Sequence, residues 1–359
     1  MREAGDAPSR SAALAEELLA LPFDQYQRYR LIADAVERLV PPDAGPILDV
    51  GGWPATLQRF LPHRRIFIAD LHGRLPLMVW ASGAALPFGD RQFAAVVSSD
   101  TFEHIPPQQR EQFLGELARV ARDVVVLGAP FDAPQVHAAE AVLREVIRAK
   151  YPDSYGFIEE HDQFGLPDLT VTRRFFEEAG FAAVALPNGY LRHWLPMLTL
   201  YFALQWRSPV EAIFQRLNRY YNLTYYASDN REPSYRHTIV ATRGAQEVLN
   251  GLAQDLAPPQ AGAAPTEHDW PEIAALLGAI ELEARAAPQT LMRQIVELER
   301  LVEERTTWAQ GAVREVQERN ALIRRLVAEV EELRRQAGLA RLYRLARGAR
   351  SLIQRARGR

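Results

Sequence analysis

ILDVGGWPATLQRF (residues 47–60) joins a short apolar run to a glycine pair and then to a segment able to form a helix. The run ILDV predicts a buried strand ending in Asp49, with Gly51 and Gly52 in the turn that follows. Such a turn lets the backbone approach an anionic or zwitterionic ligand and aims amides at it. The next apolar run, IFIAD, ends in Asp70, 21 residues beyond Asp49. An acid at the tip of a second strand can accept hydrogen bonds from both hydroxyls of a ribose. Asp70 alone would read as a helix cap, and a glycine pair alone says little. Asp49, Gly51 and Asp70 at this spacing predict a nucleoside-type cofactor.

The surrounding chain repeats the same rhythm. Apolar runs at Pro46–Val50, Arg65–Ala69, Ala94–Ser98 and Asp123–Leu127 each lead into a polar or glycine-containing turn and a longer segment. That alternation predicts an α/β fold with a parallel sheet flanked by helices. Further on come a helix at Val171–Ala179, a strand at Phe181–Leu186, helical segments at Leu191–Arg207 and Pro209–Asn222, and a last strand at Arg236–Thr242. Upstream, residues 11–40 read as two helical pieces broken at Pro22, the second capped by Asp24.

ILDVGG and IFIADL resemble the first two motifs of the class I S-adenosylmethionine-dependent methyltransferases, type 11-like members included. ASGAALPFGDRQFAAVVSSDTFEHIP resembles their third and fourth motifs, and RVARDVVVLGAPF their fifth strand. The resemblance spans about residues 40–245 and is strongest over 46–130. It implies a Rossmann-like seven-stranded sheet and S-adenosyl-L-methionine as cofactor. It further implies that Asp49, Gly51 and Gly52 line the methionine and ribose side. Asp70 would bind the ribose hydroxyls, Leu71 would pack on adenine, Ser82 and Gly83 would sit near the adenine amine, and Ser99 and Asp100 under the sulfonium. Three positions depart from the pattern. Trp53 and Ala55 replace the loop's later glycines, and Ser82 replaces an acid. Ala55 is a minor change at negative φ. Trp53 must point away from the cofactor. Ser82 weakens one hydrogen bond by roughly 1 kcal/mol.

Methyl transfer to a hydroxyl needs alignment and removal of a proton. The candidate bases are His104, in DTFEHIP at the mouth of the fourth strand, and His161, in a loop EEHDQFGLPD facing the substrate. Asp100, Glu103 and His104 could hold a divalent cation, but ligands so close in sequence rarely converge on one ion, so no metal site is expected. Residues 188–235 carry Asn188, Tyr190, Trp194, Tyr201, Trp206, Tyr220, Tyr221, Tyr225, Tyr226 and Tyr235. As a group these suit a polyhydroxylated acceptor; singly, each reads more readily as packing. HDQFGLPD followed by PNGYLRHW resembles, more loosely, methyltransferases encoded among glycan-assembly enzymes, which implies a saccharide or lipid-linked glycan acceptor. Two alternatives stand beside this reading: a non-catalytic scaffold of the same fold, and a small-molecule or quinone-type O-methyltransferase.

The 359 residues are 48% hydrophobic, which suits one catalytic-sized domain and a further segment. A net charge of −3 gives no general attraction to nucleic acid. The absence of cysteine excludes disulfides and cysteine chemistry and fits the cytoplasm. The N-terminal stretch does not read as a signal peptide, and the longest apolar stretch, Leu195–Trp206, is too short to span a bilayer.

The expected organisation is an N-terminal helical cap (1–45), a methyltransferase domain (46–245) with a helical, aromatic insertion (188–235), a linker and short helix (246–288), a coiled coil (289–337) and a basic tail (338–359). From Leu291 to Ala337 apolar residues step by 4 and 3, with Ile295, Val302, Val316, Ile323 and Val330 in one series and Leu291, Leu298, Leu326 and Leu333 in the other, while Arg305, Ala309, Ala312 and Arg319 weaken the middle. That pattern predicts a long helix pairing into a parallel homodimer, with a trimer, a solvated single helix or a helix folded back on the domain as the alternatives. The tail, Gly338–Arg359, carries seven arginines and no acid around an apolar helical face, and suits an anionic membrane surface at the inner face of the membrane.

Overall fold

The computed structural model describes residues 10–150, 156–204 and 211–258, with Arg300, Arg325, Glu329, Glu332 and Arg335 beyond them. The chain divides into two units, Met1–Ala284 and Arg285–Arg359, and the fold below belongs to the first. Apart from those single positions, the expected coiled coil and basic tail lie outside the described residues, as does Trp206. Among the described residues no helix is long and apolar enough to cross a membrane.

Seven strands form one sheet: β1 (Ile47–Val50), β2 (Ile66–Asp70), β3 (Met78–Trp80), β4 (Phe93–Ser99), β5 (Ala121–Pro130), β6 (Ala182–Tyr190) and β7 (Ser234–Thr242). Their order is β3-β2-β1-β4-β5-β7-β6. The pairs from β3 through β5 are parallel. Only β7 runs against the rest, antiparallel to both β5 and β6. This is the Rossmann-like seven-stranded sheet flanked by helices. β3 escaped the apolar pattern because it is three residues long and none of its side chains is buried. The central β4, FAAVVSS, is buried at every position, as a parallel strand covered on both faces must be.

Alternation along β1 assigns the two faces. Leu48 and Val50 point into a core with Phe93, Val96, Phe113, Leu117 and Phe176. Those partners come from the sheet and from α4 (Pro107–Val120) and α7 (Leu169–Glu178). Ile47 points to the other face, where Leu31, Ile32 and Val36 of α2 (Phe23–Leu39) meet Leu57 of α3 (Thr56–Phe60) and Leu249 and Leu252 of α10 (Gln246–Asp255). Residues 246–255, expected within a linker-and-short-helix segment, are therefore a helix of the core. α1 (Arg10–Leu19) precedes α2, with the break at Pro22 as expected.

A third cluster lies over the carboxyl ends of the strands. It joins Phe23 to α5 (Pro134–Lys150), α6 (Gly156–Phe164), α8 (Leu191–Leu204) and α9 (Glu211–Thr224) through Leu143, Ile158, Leu191, Trp194, Tyr221 and Tyr235. α6 corrects the expectation that His161 sits in a loop: it is a helical residue, 4% exposed. The insertion between the last two strands is helical as expected, although β6 runs on to Tyr190.

Asp24 does not cap α2. The first helical residue is Phe23, whose N–H donates to Asn218 Oδ1 of α9 at 3.1 Å. Thus relieved of capping, the Asp24 carboxylate accepts from Trp194 Nε1 at 2.7 Å and Arg236 Nη1 at 2.8 Å. Arg236, 2% exposed, also donates through Nη2 to Asp100 Oδ2 at 2.9 Å. Arg28 donates to the same carboxylate. Two guanidinium groups and two carboxylates thus neutralise one another in a partly buried site joining α2, β4 and β7, with Arg236 its most buried member. Removing one member of such a set leaves its partners charged, short of a counter-ion and only partly hydrated. Arg236→Met is expected to lower the unfolding free energy by about 3–5 kcal/mol, read from urea denaturation followed by circular dichroism.

Candidate active site

The parallel strands place the candidate residues along one edge of the sheet. Gly51 follows β1, Asp70 closes β2, Ser82 follows β3, and Ser99 closes β4. Strand order reverses between β1 and β4, which opens a crevice at the carboxyl ends of those two strands. Ser98 ties them together by donating to the Val50 carbonyl at 2.9 Å.

The glycine pair is required by close approach. A Cβ on Gly51, whose φ is 76°, would lie 2.1 Å from Thr101 Oγ1; one on Gly52 would lie 2.4 Å from Asp49 Oδ2. Asp49 is 1% exposed, and its Oδ2 has no hydrogen-bond partner. Burial, and then the charge of Asp70, pushes its carboxyl up to about 7 against the opposing pull of Arg28. Asp70 accepts from Trp53 N–H at 3.0 Å and His72 N–H at 2.9 Å, one bond on each oxygen, so each keeps further acceptor capacity. Leu71 is 62% exposed beside it. Gly83 is packed against Phe113 and Val50, while Ser82 Oγ accepts from Ala84 N–H at 3.2 Å within its own turn.

The departures from the glycine pattern resolve in different ways. Trp53 lies against Gly73 in the β2–β3 connection, half-exposed. Ala55 has φ 76°, contrary to the negative φ expected of it. A Cβ in the left-handed region is strained, so the position still asks for the glycine it lacks.

Beyond Ser99 the chain builds a second region. Asp100 has φ 47°, a strained value for a residue with a side chain. Burial would raise its carboxyl, but Arg236 and Arg28 outweigh this and hold it at about 2. A 3-10 turn follows at Phe102–His104. Around it lies a cavity of about 360 Å³ lined by Asp24, Arg28, Asp100, Glu103, His104, His161 and Arg236, with Phe23, Trp194, Leu198, Tyr201, Phe202 and Tyr235 supplying apolar walls. Of the aromatic residues expected at an acceptor surface, Trp194, Tyr201 and Tyr235 line it. Tyr221 and Tyr225 are buried packing residues, and Tyr226 donates to Asp34 Oδ2 at 2.8 Å.

His104 and His161, 57 residues apart in sequence, meet here with ring centroids 5.0 Å apart. His104 Nδ1 lies 2.8 Å from Glu160 Oε2. His161 Nδ1 lies 2.8 Å from Glu140 Oε1, which also accepts from Tyr235 Oη at 2.9 Å. Glu103 is 2% exposed, and burial followed by the charge of Asp100 pushes its carboxyl well above the usual range. The cation set considered from sequence does not form, because Asp100 is held by arginines. Glu103, His104 and His161 instead gather, with one potential ligand atom from each within 4.8 Å of the others. Sequence reasoning missed Asp24, Arg28, Glu140, Glu160 and Arg236, none of which stands in a recognisable motif.

Residues 67–127 match a family model described as a methyltransferase domain. The match covers 61 of the 359 residues. It runs from β2 to β5 and includes Asp70, Ser82, Ser99, Asp100, Glu103 and His104. The cofactor of this domain type is S-adenosyl-L-methionine. No curated protein matches the chain in sequence. Among solved structures, the chain is similar to magnesium protoporphyrin IX methyltransferase from Synechocystis with bound SAH, at 12% identity over 67% of this chain and 90% of that one, with a TM-score of 0.36. It is also similar to the YcgJ protein from Bacillus subtilis, at 12% identity over 60% of this chain and 98% of that one, with a TM-score of 0.36.

Two outcomes follow for the glycine turn and its neighbours. Ala55→Gly is expected to raise the unfolding free energy by about 0.5–1 kcal/mol, relief of strain exceeding the added entropy of the unfolded chain; urea midpoints measure it. An unfolded aspartate titrates near 4, so Asp49 takes up a proton on folding. Its contribution to stability is complete below about pH 4 and is lost as the pH rises to about 7. Urea midpoints recorded from pH 4 to pH 8 should show that fall; Asp49→Asn should reduce it, the raised Glu103 carboxyl supplying a remainder of the same sign, and should be the more stable protein at pH 8.

Proposed function

We propose that this protein transfers a methyl group from S-adenosyl-L-methionine to a hydroxyl of a saccharide or lipid-linked glycan acceptor. The observation that carries the reading is the meeting of two regions at the end of β4. One is the glycine turn with Asp49 and Asp70; the other is the cavity beyond Asp100. The first fits the cofactor because a buried carboxylate oxygen of Asp49 lacks a partner beside backbone that no side chain can cover. Asp49, Gly51 and Gly52 would hold the methionine portion, Asp70 the ribose hydroxyls and Leu71 the adenine face, with Ser82 and Gly83 near its amine. Bound there, the cofactor would supply a methyl group already activated by its sulfonium.

The chain's own residues then have to position the acceptor and take its proton. Trp194, Tyr201 and Tyr235 offer aromatic walls, while Asp24, Arg28 and Arg236 offer charged edges able to orient a polyhydroxylated ring. His104 and His161 are the proton-accepting side chains of the cavity, each oriented by a carboxylate on its Nδ1. The helical insertion closes the region over and limits competing water. A small-molecule or quinone-type hydroxyl acceptor is the second reading, favoured by the gathering of Glu103, His104 and His161. The expected coiled coil and basic tail would hold paired domains at an anionic membrane surface on the cytoplasmic side, where lipid-linked acceptors are presented.

Titration calorimetry with S-adenosylmethionine and S-adenosylhomocysteine tests the first step. Micromolar binding that falls at least about tenfold in Asp70→Ala is expected, the loss of a hydrogen-bonded charge being worth about 1.5–3 kcal/mol. No binding to either ligand would overturn the reading. Transfer of labelled methyl to glycan lipid rather than to quinol-type hydroxyls then separates the two acceptors.

A further inference from the structure

We infer that Glu103, His104 and His161 form a site for a divalent transition-metal ion of the zinc class, opening on the acceptor cavity. Two imidazoles and one carboxylate are a donor set suited to zinc, iron, cobalt or manganese rather than to magnesium or calcium. Three features of the geometry support it. The donors come from the turn after β4 and from α6, converging from different elements to within 4.8 Å of one another. Bond lengths of about 2.0–2.2 Å to an ion require donor separations of about 3–3.5 Å, within reach of small side-chain rotations.

Both rings also carry the support that ligating histidines have. Metal-bound imidazoles characteristically donate their other N–H to a carboxylate, which fixes tautomer and orientation. Here Glu160 stands 2.8 Å from His104 Nδ1, and Glu140 stands 2.8 Å from His161 Nδ1. Glu140 is itself fixed by the Tyr235 hydroxyl at 2.9 Å. On the other edge of His104, Nε2 lies 4.0 Å from Glu103 Oε1.

The third feature is Glu103 itself. It is 2% exposed, and its Oε2 has no hydrogen-bond partner. A dry carboxylate is costly unless it is protonated or paired. The nearby Arg28 and Arg236 direct their hydrogen bonds to Asp100 and Asp24 and reach Glu103 only through their charge. An ion placed between Glu103 and the two histidines neutralises that carboxylate.

All three ligands line the cavity, so an ion held by them keeps open positions toward a bound acceptor. Metal coordination lowers the pKa of a bound hydroxyl and fixes its oxygen in place. In that role, which rests on the methyltransferase reading, the histidines act through the ion. The site itself stands on these residues alone.

The test uses the full chain, stripped with chelator and titrated with zinc by calorimetry and with cobalt(II) by visible absorption. One ion per chain and cobalt bands of a histidine-containing site are expected. Glu103→Gln and His161→Ala should each weaken binding by at least about a hundredfold, and the supporting change Glu140→Gln by about ten- to a hundredfold. His104→Asn, at a partly exposed position, gives a variant that spares the core, and thermal melts confirm folding of each. No binding, or binding that all four variants retain, would overturn the site. S-adenosylmethionine titration of the same samples separates the two readings. Metal binding without cofactor binding sinks the methyltransferase reading alone, and the reverse sinks the metal site alone.

Discussion

The buried guanidinium of Arg236 is the constraint on which the rest of this structure depends. It comes from the strand that runs against the others, and it bonds Asp24 at the start of α2 and Asp100 at the end of β4. Taking these charges out of water is costly, and only close, mutual pairing offsets that cost. The pairing fixes three distant parts of the chain in one register. With them it fixes the cavity, since Asp24, Arg28, Asp100 and Arg236 are its charged walls. It also holds Asp100 ionised on a strained backbone, where a looser environment would let both relax.

The two halves of the candidate site are built by different means. On the cofactor side backbone does most of the work: a turn so close to Thr101 and Asp49 that only glycine fits, and an acid already tethered by two amides. On the acceptor side side chains from α2, α6, α8 and β7 do it. The first is rigid because it is sterically full. The second is rigid because its polar groups are tied in pairs. They share the short stretch from Ser98 to His104, so a shift in the end of β4 would be felt by both.

How much of this could be read from sequence depended on how local its cause was. β1, β2, β4 and β5 announce themselves because strands buried on both faces need unbroken apolar runs. Asp49, Gly51 and Asp70 were legible because a turn and a strand tip have fixed spacing. β3 was not, being three residues without a buried side chain. The backbone at Ala55 was misjudged because φ is set by the turn and not by the residue that fills it. His161 was placed in a loop and lies in a helix, hidden in a charged segment with no capping signal. The partners that give His161, His104 and Asp100 their character lie 21, 56, 72 and 136 residues away. No periodicity reports contacts of that range. Most of the aromatic residues that looked like an acceptor surface are packing, because a helical cap over a sheet edge needs apolar bulk whatever it covers.

The place of β7 has a consequence for how the molecule is made. A ribosome delivers β6 before β7, yet β7 lies between β5 and β6. Until residue 242 has emerged, β5 ends the sheet with an open edge, and β6 has no neighbour to join. The strand that closes this gap also carries Tyr235 and Arg236, so the cavity has neither its stacked wall nor its central cation before then. Nascent or truncated chains therefore hold a nearly complete glycine turn beside an unfinished cavity and a bare sheet edge. β7, the last strand of this sheet in sequence, covers the edge of β5, gives β6 its neighbour and completes the cavity in one step.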